Sequence, residues 1–386
     1  MACTAIPENC HLRCTLTSSM RIVHVVTLVS PDAAFGGPLR IAVNQCQALI
    51  DLGHDVTLVA AARGFEHELP QEIGGVPVVL FPARTAVPGA GFAGLDSTEM
   101  RQWLKHNLRN FDLVHVHLAR DLVMLPALHA VRKAKVPYVI QTHGTISVSA
   151  NPITKLVDLA ATKRYLKGAA AVIVLDAAEG HDVSALVSKA TVIGIPNGVP
   201  FSTEEADPGA RDALFLSRLT AQKRPLVFLE AAEMIAPEFP GWSFSVVGPD
   251  AGEGEALAIA NVAGAVHIEG PLPIERTADR MRRSAIYVLP AIDEPYAMAM
   301  IEAMAVGVPV IVHDDCRLAQ VVIDVDAGLV FHGGAAELTV ALRILMGDPE
   351  LRARMGAAGR AYVRENLAMD AIARNLEAIY QERLDL

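Results

Sequence analysis

Two glutamates eight positions apart, Glu294 and Glu302, fall within the stretch EPYAMAMIEAMAVGVPVI, and Glu302 is the one side chain from Ala297 to Val306 that is not apolar. A segment apolar around its whole circumference reads as a buried helix, here ended by Gly307 and Pro309. A carboxylate inside such a helix costs several kcal/mol unless donors satisfy it. Either the two hydroxyls of a ribose or a core arginine would do so. Glu294 follows the apolar run AIYVLP, so it is expected either to face a ligand cleft or to sit on the surface near the helix start.

Cations gather in FLSRLTAQKRP, residues 215–225, where a strand runs out into Arg218 and a short loop leads to Lys223 and Arg224 at the start of a helix. Positive charge is unfavourable at a bare helix N-terminus, whereas a guanidinium and an ammonium at that place suit a diphosphate whose charge grows as it departs. In AAFGGPLR, residues 33–40, Gly36 and Gly37 permit a tight turn before Pro38 opens a helix, a loop able to hold an anionic or hydroxyl-rich ligand. The spacing is not GxGxxG, so no dinucleotide fingerprint is present. In DLVHVHLARD, His115 and His117 share one face of a strand, and His143 ends the next candidate strand in QTHG. His143 or His117 is placed to touch a substrate, and His115 reads as a core histidine. A three-histidine metal site is the weaker alternative, since no acidic partner stands at ligand spacing.

The elements that must position these residues alternate in type. RIVHVVTLV (21–29), DVTLVAA (55–61), VPVVLF, DLVHVHL, PYVIQTH and AAVIVLD read as strands separated by helix-length segments, among them 38–53 and 154–166. After IPNGVP and the polar FSTEEADPGARD the alternation restarts with ALFLSRL, FSVVG, HIEG, AIYVLP and PVIVH. Near-continuous apolar strands alternating with helices predict an α/β fold of two doubly wound parallel sheets joined near residue 200. Asn197-Gly198 in the junction reads as a tight turn with positive φ. Ligands are expected at the carboxyl ends of the strands, in a cleft between the two halves.

The 386 residues, 52% of them hydrophobic, supply a full core, and no apolar run reaches the length of a membrane span. Net charge is −10, with +2 on residues 20–200 and −12 on 201–386, which argues against nucleic acid as a partner. RKAK (132–135) and KRYLK (163–167) read as solvated helix faces, with contact to an anionic membrane as the alternative. Three of the five cysteines lie in residues 1–19, a stretch without strand or helix periodicity. That tail is expected to be disordered or to precede the true start at Met20, and the chain to be cytoplasmic.

Taken in order, FGGP, GHDVTLVA, DLVHVH, QTHG, IPNGV, FLSRLTAQKRP, VVGPDAGEGEAL and EPYAMAMIEAMAVGVPVI make the chain resemble the retaining GT-B glycosyltransferases of family 4 from Met20 to the C-terminus. The resemblance implies two Rossmann-like domains facing a central cleft: an acceptor-side domain over 20–200, a nucleotide-sugar-binding domain over 201–368, and a helix over 369–386 that crosses back to the first. It implies that Glu302 accepts hydrogen bonds from the donor ribose and Glu294 contacts the transferred sugar. Arg218 and Lys223 would hold the diphosphate together with N–H groups near Ala297 and Met298, while Gly37 and His143 line the sugar and acceptor side. Ala297 departs from the family pattern, which often has glycine there.

The implied reaction moves a sugar from a nucleotide-sugar to a hydroxyl of a glycan, lipid-linked or small-molecule acceptor with retention. It uses no metal or other cofactor and serves cell-surface polysaccharide or glycolipid assembly, peripheral to the inner membrane face. A nucleotide-sugar epimerase on the same scaffold and a non-catalytic nucleotide-sugar-binding module are the alternatives.

Overall fold

The computed structural model describes residues 19–31, 36–144, 162–273 and 276–385. The cysteine-bearing tail and most of the helix expected over 154–166 lie outside them. Among the described residues, the first sheet comprises β1 (Arg21–Val29), β2 (Asp55–Ala62), β3 (Glu72–Ile73) and β4 (Val76–Pro82), and then, beyond the small hairpin of β5 (Arg84–Thr85) and β6 (Leu95–Asp96), β7 (Leu113–His117), β8 (Tyr138–Gln141), β9 (Ala171–Val174) and β10 (Val192–Gly194). Its order is β10-β9-β8-β7-β1-β2-β4-β3, parallel throughout except for the short β3 against β4.

The second sheet runs β13-β12-β11-β14-β15-β16 and is wholly parallel: β11 (Asp212–Leu216), β12 (Ser243–Val247), β13 (His267–Gly270), β14 (Ile286–Leu289), β15 (Val310–His313) and β16 (Gly328–Phe331). Strand order reverses between β1 and β7 in one sheet and between β11 and β14 in the other. Loops diverge at such switch points and leave a crevice at the carboxyl ends.

Each sheet carries a hydrophobic core on both faces, as the continuous apolar strands require. The last helix, Met369–Leu384, buries Ile372, Leu376 and Tyr380 against the first sheet and packs on the helix Gly36–Asp51, although it follows the second sheet in the chain. Its return passes the outgoing chain, where Val199 and Ala368 form a parallel bridge.

That crossing explains Gly198 and corrects its reading as a turn glycine. Neither Asn197 nor Gly198 has positive φ. A Cβ on Gly198 would instead lie 2.6 Å from Ile372 Cγ1 and 3.0 Å from the Leu367 carbonyl oxygen, so the glycine serves the close passage of two chain segments.

Candidate active site

The carboxyl ends of the two sheets face each other. Arg317 of the second sheet's side reaches Asp176 beyond β9 at 3.5 Å, and the Tyr296 hydroxyl donates to the Asn197 carbonyl at 2.9 Å. Asn197 in turn accepts from Gln141 at the end of β8, 3.3 Å away. The segments just beyond β11 and β14 therefore line the cleft at the second sheet's switch point.

Arg218 and Lys223 follow β11, and Glu294 follows β14. The Thr220 side chain accepts from the Lys223 N–H and starts the short turn Ala221–Lys223 that brings the ammonium inward. Lys223 there forms an ion pair with Glu294, a carboxylate that is almost fully buried. Burial, and then the neighbouring Arg218 guanidinium, push the Lys223 ammonium down to about 8.

Arg218 is exposed, and its guanidinium makes no ion pair or hydrogen bond among the described residues, so it is available to an anion. Its loop sits tight against the start of the next one: a Cβ on Gly248 (φ 148°) would lie 1.9 Å from the Ser217 carbonyl oxygen. Arg224, the third cation of the motif, is structural. It adopts φ 55° as the N-terminal cap of the helix Pro225–Ile235 and donates to the Gly333 carbonyl at 2.8 Å.

The apolar segment forms the helix Met298–Ala305, with Ala297 buried as its N-terminal cap and Met298 half-buried. The Met298 N–H turns back to the Tyr296 carbonyl at 3.0 Å, so it is already engaged. Glu302 is buried one turn further on. Of its two sequence-level readings the structure supplies the arginine partner: Arg40, from the helix Gly36–Asp51 of the first sheet's layer, forms an ion pair with Glu302 Oε1. Glu302 Oε2 makes no hydrogen bond among the described residues. Burial raises the Glu302 carboxyl above its ordinary range, and Arg40 opposes the rise. Beside the pair lies a cavity of about 540 Å³ between the two layers, walled by Leu39, Val43, Ala305 and Val306.

Gly36 and Gly37 are the first residues of a helix rather than a turn before one, since Pro38 is tolerated in a first turn whose N–H groups lack intrahelical partners. Gly37 is exposed with open space in front of it, for a Cβ there would meet nothing within 4 Å. His143 stands just beyond β8 with φ 54°, half-buried, its Nε2 2.7 Å from His117 Nδ1. His115 is a core residue, 2.5 Å through Nδ1 from the Tyr380 hydroxyl.

Sequence reasoning passed over Arg40, His24 and Tyr296. A buried carboxylate asks for a cation without saying which, and the only local signal for His24 is a polar residue inside the apolar run RIVHVVTLV.

Residues 201–362 match the family described as Glycosyl transferases group 1, and residues 36–198 the family described as Glycosyl transferase 4-like domain. The chain is a GT-B glycosyltransferase of group 1. This glycosyltransferase is 27% identical over 331 residues to the phosphatidyl-myo-inositol mannosyltransferase of Mycolicibacterium smegmatis, a match covering 82% of this chain and 83% of the relative. It is 28% identical over 384 residues to the D-inositol 3-phosphate glycosyltransferase of Streptomyces avermitilis, covering 88% and 82%. Among solved structures, sucrose-phosphate synthase from Thermosynechococcus elongatus matches with a TM-score of 0.71 at 18% identity, over 94% of this chain and 98% of that one. The Anabaena protein HepE in complex with UDP and glucose matches with a TM-score of 0.68 at 16% identity, over 93% and 98%. At those identities the solved structures speak to the fold.

Proposed function

We propose that this glycosyltransferase is retaining and metal-independent, and that it takes a nucleoside diphosphate sugar on the second sheet's side of the cleft. The observation that carries the reading is the buried Glu302 carboxylate, held on one oxygen by Arg40 and left without a hydrogen bond on the other. A buried acceptor without a donor is costly, and a ribose hydroxyl satisfies it. Arg218 and Lys223 then grip the diphosphate and take up the charge that develops as the sugar–phosphate bond breaks, which is the work a divalent cation does elsewhere. Ala297, at the start of the Met298–Ala305 helix, adds a partly positive helix end. Glu294 and His143 contact hydroxyls of the transferred sugar, with Gly37 leaving room on the acceptor side.

With Glu294 committed to Lys223, the acceptor hydroxyl attacks from the face the phosphate leaves, and the phosphate oxygen receives its proton. Closure of the two halves excludes water and spares the donor from hydrolysis.

Incubation with UDP-, GDP- and ADP-sugars is expected to give slow release of one nucleoside diphosphate, unaffected by EDTA. Glu302→Ala should raise the KM for that donor. The anomeric configuration of the product, read by NMR, should match the donor's. An inverted product, or loss of turnover on chelation, removes the corresponding part of the proposal. Acceptors containing inositol phosphate come first in the search, because the two relatives named above act on inositol compounds.

A peripheral membrane role in glycolipid or cell-surface polysaccharide assembly is supported by one surface feature. No described helix is long and apolar enough to cross a membrane. The helices Met124–Ala134 and Lys163–Gly168 pack together, which brings Arg132, Lys133, Lys135, Arg164 and Lys167 onto one exposed region. Co-sedimentation with vesicles containing anionic lipid is expected at low salt and is lost at high salt. Equal binding to neutral vesicles would count against that surface.

A further inference from the structure

The helix Ala177–Leu186 opens at the cleft. Its cap residue Asp176 accepts from the Glu179 N–H at 2.8 Å through Oδ1, and Asp176 Oδ2 faces Arg317 of the second sheet's side at 3.5 Å. Asp-x-x-Glu at a helix start reads as a capping box, in which the glutamate carboxylate returns to the N–H of the cap residue. Here it goes elsewhere. Glu179 Oε2 accepts from the Leu175 N–H at 2.9 Å, one residue before the cap, and Oε1 leaves the helix to accept from the Gly144 N–H at 2.6 Å. Glu179 is only 3% exposed, and among the described residues it is backbone N–H groups, not a cation, that meet its charge.

What that carboxylate holds is the turn beyond β8. His143 has φ 54° and Gly144 φ 73°, two successive left-handed residues. Glycine adopts that region freely, whereas histidine reaches it at a cost that the surroundings must cover. The ring is backed from inside by other imidazoles: His143 Nε2 is 2.7 Å from His117 Nδ1, and His117 Nε2 is 3.0 Å from His24 Nδ1. The backbone is held on both sides of the turn. Upstream, the Thr142 N–H donates to the Ile173 carbonyl of β9 at 3.1 Å; downstream, the Gly144 N–H is held by Glu179. An N–H given to a carboxylate makes a charge-assisted bond, roughly twice as strong as a neutral one. The carboxylate is itself fixed by Leu175 and stands in the first turn of its helix, where the dipole favours negative charge.

We propose that Glu179 is a positioning residue that locks the left-handed His143–Gly144 turn to the end of β9 and so fixes the His143 imidazole at the carboxyl edge of the first sheet. The catalytic consequence rests on the reading above that places His143 beside the transferred sugar; the lock on the turn does not. Capping of its own helix is the competing use of Glu179. That use needs only N–H groups at the helix start, and it does not account for the bond to Gly144, 35 residues away in the chain.

Proton–nitrogen NMR of the full chain with labelled glycine tests the lock without substrate. The Gly144 amide is expected downfield and slow to exchange in the wild type, and upfield and faster in Glu179→Ala. Glu179→Ala is also expected to lower kcat by roughly 10–10²-fold, the scale of a misplaced contact. Affinity for whichever of UDP, GDP and ADP the donor screen returns should not change, since the proposed diphosphate site lies on the second sheet's side. Glu179→Gln keeps the length and one acceptor oxygen, and should fall between wild type and Glu179→Ala in both readings. On a His143→Ala background, Glu179→Ala should cost nothing further in kcat, because its effect passes through the imidazole. A Gly144 amide unmoved in Glu179→Ala, or the full loss of kcat repeated on the His143→Ala background, would each overturn the proposal. Should Glu179→Ala fail to fold, Glu179→Gln supplies both readings, alone and with His143→Ala. Full turnover in His143→Ala, with the Gly144 amide still displaced in Glu179→Ala, would instead remove the sugar-contact reading and leave the lock standing.

Discussion

Lys223→Ala is expected to lower turnover by roughly 10²–10³-fold, the cost of removing one preorganised charge partner from a developing anion. It also lowers the melting temperature, because Glu294 is left buried without its cation. The two effects separate in the double variant Lys223→Ala, Glu294→Gln, which recovers melting temperature but not turnover. The same ammonium sets a basic limb. In the proposed role it acts as the charged form, burial and Arg218 have pushed it down to about 8, and kcat/KM reports groups of the free enzyme. Thus kcat/KM for the donor falls as pH rises through about 8 in the wild type, while Lys223→Ala is flat there. Steady-state nucleotide release from pH 6 to about 9.5 checks both, bracketing the two sides of the lysine's titration. A wild-type profile without that limb would sink the assignment. Arg218→Ala, which breaks no ion pair seen among the described residues, should lower turnover with little change in melting temperature.

The second large effect is on stability. Arg40→Ala leaves Glu302 buried without its cation, a loss of about 3–5 kcal/mol in comparable buried pairs. Burial raises the folded-state pKa of Glu302, so the folded protein holds that proton more tightly than the unfolded chain does. Stability from this group is therefore present below the unfolded value of about 4.3 and is lost as pH rises through the folded value. Arg40 lowers that folded value, and without it the value climbs further. The deficit of Arg40→Ala is thus smallest at the acid end and widens toward neutral pH. Denaturant melts of the wild type and variant across that range measure it. Arg40→Ala with Glu302→Gln should narrow the neutral-pH deficit, and a deficit independent of pH would mean that charge at Glu302 is not its cause.

Much of the second half's site was legible in the chain because it is local. Apolar side chains all around Glu302 mark a buried helix, and the run from Phe215 through Lys223 marks a strand end bearing cations. The structure places Arg218, Lys223 and Glu294 together because they follow β11 and β14, neighbours in the sheet at its switch point. Arg224 and Lys223 are adjacent in sequence and equivalent by composition, yet only the backbone turn at φ 55° sends Arg224 to a carbonyl and leaves Lys223 in the cleft.

By itself, the order of residues determined the periodicities, hence two doubly wound sheets, and it determined which polar groups would have to be buried. Periodicity is a local property, and burial of a polar group follows from its apolar neighbours. What satisfies a buried group is not local. Arg40 on Glu302, Tyr380 on His115, and the row from His24 to His143 each join residues distant in the chain. Strand order and the return of the last helix brought them together, and a donor and an acceptor recognise each other only at about 3 Å.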